Sequence, residues 1–269
     1  MKAKVVLITI FVMTFLVTLA WQVGTVNAKE QYITKGLLSY WSFDKATVSG
    51  KTFKDIVGKR DATVVGGNPK EVAGKFGEAL KFNGSTDYLE YDPSGLPIKN
   101  APRTFGCWVW PDGAGVRAVL EWGTRTATLR CSFLIESGER VKFCGEGADL
   151  LTGDALKLRD WSLVTETYDG SIVRIYFNGK LVSQQAIAIN TTIAGGPKAG
   201  FGRIGCNVEV VPGEFMNGNI DDAFIYDRQL SDAEVLQNFN AGQLILAVKP
   251  ADKLAFTWGM IKSSTKLFF

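Results

Sequence analysis

Apolar and polar residues alternate along most of this chain in short runs that stop at turn residues. That two-residue period marks half-buried β-strands. Residues 37–43 put Leu37, Trp41 and Phe43 on one parity, with Ser39 as the small exception. Residues 61–65 run into Gly66-Gly67-Asn68-Pro69, and 79–82 lead to the turn dipeptide Asn83-Gly84 before 88–91. Residues 104–110 stop at Pro111-Asp112-Gly113; 116–122, 129–135 and 140–144 follow. Residues 161–168 stop at Asp169-Gly170, and 171–177 turn at Asn178-Gly179 into 180–186. Residues 201–205 and 221–226 close the set. This spacing predicts an all-β fold, a two-sheet antiparallel β-sandwich.

One helix breaks the pattern. Ser231-Asp232-Ala233-Glu234 is a capping box, Val235, Leu236 and Phe239 form an apolar stripe, and Gly242 ends it. After Gln243 the chain changes character, with several Lys and one acid, Asp252. The organisation expected is a leader over 1–28, a sandwich domain over 29–242 and an appended tail over 243–269.

The leader rests on Lys2 and Lys4, an uncharged apolar run over 5–21, and small residues at Val26-Asn27-Ala28 for cleavage. It implies a secreted, extracellular or periplasmic protein with no membrane span after cleavage; the alternative is a retained membrane anchor, for which the apolar run is a little short. Removing Lys2 and Lys4 from the 30 basic residues leaves 28 against 27 acids, so nothing in the charge invites nucleic acid. The chain has no histidine, which excludes Ser-His-Asp and Cys-His catalysis and histidine-ligated zinc.

Four cysteines in an exported chain imply two disulfides. A hairpin turning at Ser137-Gly138 would set Cys131 opposite Cys144, close to bridging distance. Cys107 with Cys206 follows by elimination. The alternative is four free buried thiols.

Four stretches carry a likeness to a known family. They are YWSFD at 40–44, GKFGEALKFNGSTDYLE at 74–90, WSLVTETYDGSIVRIYFNGKLV at 161–182 and GNIDDAFIYDRQLSDAE at 218–234. Together they resemble the laminin-G-like jelly roll of the concanavalin A-like lectin/glucanase superfamily. The resemblance implies two curved antiparallel sheets and a role in binding glycans, proteins or lipids. In relatives a structural calcium joins the first strand, a glycine carbonyl and an aspartate of the last strand, and Asp44, Gly84 and Asp221 match those places. Asp222 and Asp87 are weaker ligand candidates. Parity also sets Asp221 with Ala223 and Ile225, so it is expected buried, and a buried carboxylate needs a partner. The alternative is that Asp221 caps loop amides and Asp44 makes an ordinary turn.

The superfamily's glycanases carry acids on alternate residues of one strand, and no such run stands here. Glu136 and Glu139 flank a hairpin turn and are expected in solvent. Among the aromatics, Trp41, Trp108 and Trp161 fall in strand patterns and are expected in the core. Trp110 and Trp122 lie near strand ends and are the candidate ligand contacts. The reading is an exported, non-catalytic recognition module for a glycan or glycosylated surface. Its rivals are an adhesion protein that contacts another protein, and a glycan-cleaving enzyme.

Overall fold

The computed structural model describes residues 30–193, 201–209 and 211–244. The expected leader and the tail beyond Leu244 lie outside them. Among the described residues no helix is long and apolar enough to cross a membrane.

Two antiparallel sheets make a jelly-roll sandwich. The eight-stranded sheet runs Lys180–Ala186, Ile172–Phe177, Ser162–Tyr168, Arg103–Pro111, Asn217–Tyr226, Glu78–Asn83, Lys70–Ala73. Leu37–Trp41 also pairs with Asn217–Tyr226. The nine-stranded sheet runs Asp149–Ala155, Arg140–Cys144, Arg130–Ile135, Arg117–Gly123, Gly202–Ile204, Tyr88–Tyr91, Ala62–Gly66, Thr52–Phe53, Val48–Ser49. Between them lies one apolar core, with Trp41, Phe105, Val164 and Ile225 from one sheet and Leu89, Trp122, Phe133 and Ile204 from the other. Each such fully buried side chain contributes about 1.5–3 kcal/mol over its exposed state.

The first and last strands meet as the pattern predicts: Trp41 opposes Ala223 and Ser39 opposes Ile225. The parity of the first strand differs from expectation. An irregularity between Leu37 and Ser39 turns Leu37 to the outer side, away from Trp41 and Phe43.

On that outer side a second apolar layer forms, with Tyr40, Trp108, Leu163, Phe224 and Tyr226 covered by Leu230 and Val235. The helix there, Asp232–Ala241, starts at the capping box. Ser231 Oγ accepts from the Glu234 amide at 3.3 Å, and Glu234 Oε2 accepts from the Ser231 amide at 2.9 Å. Gly242 follows at φ 81°, a left-handed stop that glycine tolerates. Leu236 is 46% exposed rather than part of the buried stripe. Asn238 takes the buried place, donating to Tyr226 Oη at 2.9 Å and accepting from the Ile33 amide at 2.8 Å.

The two expected disulfides do not form; all four cysteines are free and buried. The hairpin around Gly138 closes through Glu136 and Arg140, whose amide-to-carbonyl bond is 2.8 Å, so its loop holds three residues and not two. The register slips by one, and Cys144 opposes Ser132. A one-residue slip turns a side chain to the other face of the sheet. Cys131 therefore joins the inter-sheet core while Cys144 packs outside with Ala118 and Leu134. Cys107 faces the core as well, and Cys206 lies by Arg203 and Glu121 of the other sheet's outer face. Burial pushes the Cys131 and Cys144 thiols up to about 12, which keeps them protonated and unreactive.

Candidate functional site

The last strand changes partner halfway along one edge. Asn217 to Ile220 pair with Asn83 to Leu80, and Ala223 to Tyr226 pair with the first strand. At the handover stand Asp221 and Asp222. The register against Arg103–Pro111 breaks there, and Asp222 adopts φ 48°. This bulge corrects the parity expected of Asp221. It opposes Trp108, so it shares the outer face, while Ile220, Ala223 and Ile225 face the core.

Asp221 is nonetheless fully buried, beneath the loop that joins Lys70–Ala73 to Glu78–Asn83. Its Oδ2 accepts from the Lys75 amide at 2.9 Å and the Phe76 amide at 3.1 Å. Asp44 arrives from the end of the first strand: Oδ1 accepts from the Glu78 amide and Oδ2 from Gln243 Nε2, each at 3.1 Å. Gly74 and Gly77 let the loop lie this close. A Cβ on Gly74 would sit 2.6 Å from Asp221 Oδ2, and one on Gly77 would collide with Asp44 Oδ1. These glycines lay in the quoted GKFG stretch, but strand pairing was needed to place them beside the carboxylates.

Three oxygens of the cluster remain unsatisfied: Oδ1 of Asp221 and both oxygens of Asp222 find no hydrogen-bond partner. Burial and then the neighbouring Asp221 push the Asp222 carboxyl well above its usual range. Tyr40 and Gln243 beside it pull back only part of that shift, and neither makes a well-formed hydrogen bond with it. Burial raises Asp221 too, with its two loop amides opposing. Hard, uncompensated carboxylate oxygens at a backbone irregularity suit a Ca²⁺ ion chemically. Among the described residues no three His, Cys, Asp or Glu side chains converge on one metal position. Gly84 stands apart. Its amide donates to the Met216 carbonyl at 2.8 Å, five residues and roughly 16 Å along the strand from Asp221. Asp87 is at that same end, where it accepts from the Asn68 and Asn83 amides at 2.7 and 3.0 Å.

The outer face of the nine-stranded sheet carries a charge network with a buried centre and a partly exposed rim. Arg130, 1% exposed, donates to Glu121 Oε2 through Nε and Nη2 at 3.1 and 2.7 Å, and to Glu214 Oε2 at 2.7 Å. Ser132 Oγ and the Val208 amide complete the shell of Glu121. Arg203 holds Glu90 at 2.7 Å and the carbonyls of Asn207 and Glu209. Segments 207–209 and 213–214 are thereby clamped across the sheet. Glu139, expected in solvent, is buried and paired with Arg117 at 2.7 Å, while Glu136 pairs with Lys142 at 2.9 Å.

The tryptophans divide by how they spend their indole N–H. Trp41, Trp108 and Trp122 are buried and donate to the carbonyls of Arg60, Gly242 and Pro97. Trp122 is thus a core residue rather than a ligand contact. Trp110 and Trp161 are half-buried on the outer face of the eight-stranded sheet, ring centres 5.8 Å apart at 64°. Trp161 was expected in the core. It stands one residue before strand Ser162–Tyr168, on the parity that points away from the other sheet.

These features define a β-sandwich of the lectin type. The Laminin_G_3 family, described as the concanavalin A-like lectin/glucanases superfamily, matches residues 83–236, and the chain belongs to it. No curated protein matches the chain in sequence. Among solved structures it is similar to domain 4 of AbnA, an extracellular arabinanase from Geobacillus stearothermophilus in complex with arabinotriose. That likeness has 19% identity and TM-score 0.56, over 75% of this chain and 97% of that one. Trypanosoma rangeli sialidase is similar at 18% identity and TM-score 0.58, over 78% of this chain but 33% of the sialidase. The binding domain of Paraclostridial Mosquitocidal Protein 1 is similar at 14% identity and TM-score 0.57, over 77% of this chain and 52% of that one.

Proposed function

We propose that this chain is an exported, non-catalytic recognition module for carbohydrate, with a calcium ion bracing its fold. The observation that carries the reading is the Trp110–Trp161 pair. Two half-exposed indoles sit side by side, Trp110 on strand Arg103–Pro111 and Trp161 just before strand Ser162–Tyr168, and neither N–H has a partner among the described residues. Such rings offer an apolar face to a sugar and a polar edge to its hydroxyls. The likeness to an arabinanase domain that holds arabinotriose supports the same ligand class.

Glycoside hydrolysis uses two carboxyl groups across an open site. Glu121 and Glu214 come near each other through Arg130, but every oxygen of Glu121 is occupied and the group is fully buried. That favours a structural clasp over an acid–base pair. For the ion, Asp221 and Asp222 would serve through their unpartnered oxygens with Asp44 beside them. Calcium would neutralise the buried charge where the first and last strands meet. A glycan array probed with the purified protein, with and without Ca²⁺, tests the ligand class. Signal that Trp110→Ala and Trp161→Ala both lose is expected; an array without hits overturns the reading.

A further inference from the structure

Five side chains stand in one row across the outer face of the eight-stranded sheet. Lys70 opposes Lys81, Lys81 opposes Asn219, and Asn219 opposes Trp110. Ser162 opposes Val109, which brings Trp161 beside Trp110. Directly opposed residues of antiparallel strands share a face. With strands about 4.8 Å apart, the row is about 19 Å long. A sugar unit in an extended chain advances by a similar step, so the row has the length of a short oligosaccharide.

The row is graded in chemistry: two indoles, one carboxamide, two ammonium groups. None of the five is buried, and both lysines are exposed. Helix Asp232–Ala241 covers the adjoining part of the face, where Trp108, Leu163 and Tyr176 are buried. The lysine end has little internal compensation. Lys81 has Asp112 at 3.9 Å, and that carboxylate is already held by Arg159 at 2.6 Å. Lys70 makes no ion pair among the described residues. Lys75 adds a third cation, its Nζ 4.8 Å from the centre of the Trp108 ring.

We propose that this row is a binding track for an anionic oligosaccharide. Trp110 and Trp161 stack on sugar rings at one end, Asn219 meets a hydroxyl, and Lys81 and Lys70 pair with carboxylate or sulfate groups further along. The assignment rests on the carbohydrate reading above and adds to it a charge, a direction and a length. Exposed ion pairs are individually weak and screened by salt, so the lysine end reads as a salt-dependent preference for anionic chains.

The test is calorimetric titration of the full chain with a tetrasaccharide of galacturonic acid, its methyl ester, and a sulfated neutral tetrasaccharide. An acid form that binds about tenfold more tightly than its ester supports the track, provided the difference collapses near 1 M salt, where the screening length is about 3 Å. So does loss of that difference in the Lys70→Gln/Lys81→Gln variant, whose exposed substitutions leave the fold intact. Comparing the acid with the sulfated chain tells which anion is taken. Equal binding of acid and ester overturns the track while leaving carbohydrate recognition standing, as does a preference that survives the lysine changes. Failure of every sugar to bind overturns both.

Discussion

The carboxylate of Asp221 holds the amide of Phe76 at 3.1 Å across 145 residues of chain. That bond closes the glycine loop over the point where the last strand changes partner. It uses one oxygen and leaves three oxygens of the Asp221–Asp222 pair unsatisfied. Buried charge of this kind is costly until it is paired or coordinated. Calcium is therefore expected to raise the melting temperature. At a hundredfold excess over its dissociation constant an ion adds about 2.7 kcal/mol, or about 5–10 °C for a domain of this size. Asp221→Asn should abolish the gain. Asp222→Asn, whose side chain tolerates the positive φ, should melt higher than wild type in EDTA and gain less from calcium. Superimposable melts with calcium and EDTA would remove the ion from this picture.

Glu166 predicts the opposite of ordinary acid denaturation. It lies on Ser162–Tyr168, fully buried, on the same parity as the core residues Val164 and Tyr168, and neither carboxylate oxygen has a partner. Burial holds its pKa well above the usual range in the folded state. In the unfolded chain it titrates near 4.3, approximately the free value. Between those two pKa values the folded protein retains a proton that the unfolded chain has released, so stability falls as pH rises. The contribution is complete below the unfolded value and is lost as pH climbs through the folded one. Glu166→Gln has no proton to lose. Its melting temperature should match wild type near pH 4 and exceed it increasingly towards pH 9. A constant offset across that range would contradict the assignment.

Arg130 and Glu121 predict a large cost for breaking one partner. Both are buried, and the Arg130 guanidinium also serves Glu214 and Glu146. Arg130→Met leaves Glu121 charged without its main partner, at an expected cost of about 3–5 kcal/mol in urea unfolding. Adding Glu121→Gln should recover a substantial part of that loss. Strictly additive losses in the double-mutant cycle would mean that the pair is not coupled.

The sequence pattern was legible where local chemistry and global fold agree. The Asn178-Gly179 turn, at φ 50° and 79°, joins the predicted hairpin, and the capping box starts the predicted helix. The meeting of first and last strands was likewise expected. Short strands such as Val48–Ser49 and Thr52–Phe53 are too brief to show a period. Irregularities were invisible, because a single extra residue resets every parity after it. The bulge at Asp222 moved Asp221 to the outer face, and the three-residue loop at 137–139 separated Cys131 from Cys144. Trp161 turned outward for a related reason; Trp122 belongs to the nine-stranded sheet, where the core reaches to the end of its strand. Alternation tells which residues share a face, but both faces of the eight-stranded sheet are partly covered, so alternation alone does not say which face is wet.

The thiols supply the last prediction. A disulfide needs Cβ atoms about 3.8 Å apart on vectors that meet, and Cys131 and Cys144 point to opposite faces of the same sheet. Cys107 is directed into the core, whereas Cys206 lies by Arg203 on the nine-stranded sheet's outer side, hydrogen-bonded to the Asn207 carbonyl at 3.5 Å. Neither pair can close without moving backbone. Titration with a thiol reagent should therefore find four free thiols in the denatured chain and almost none in the native one, where all four are buried. The melting temperature should be the same with and without reductant. A drop of several degrees under reductant would instead mean that at least one bridge forms, and the hairpin register around Gly138 would have to shift by one residue for Cys131 and Cys144 to make it.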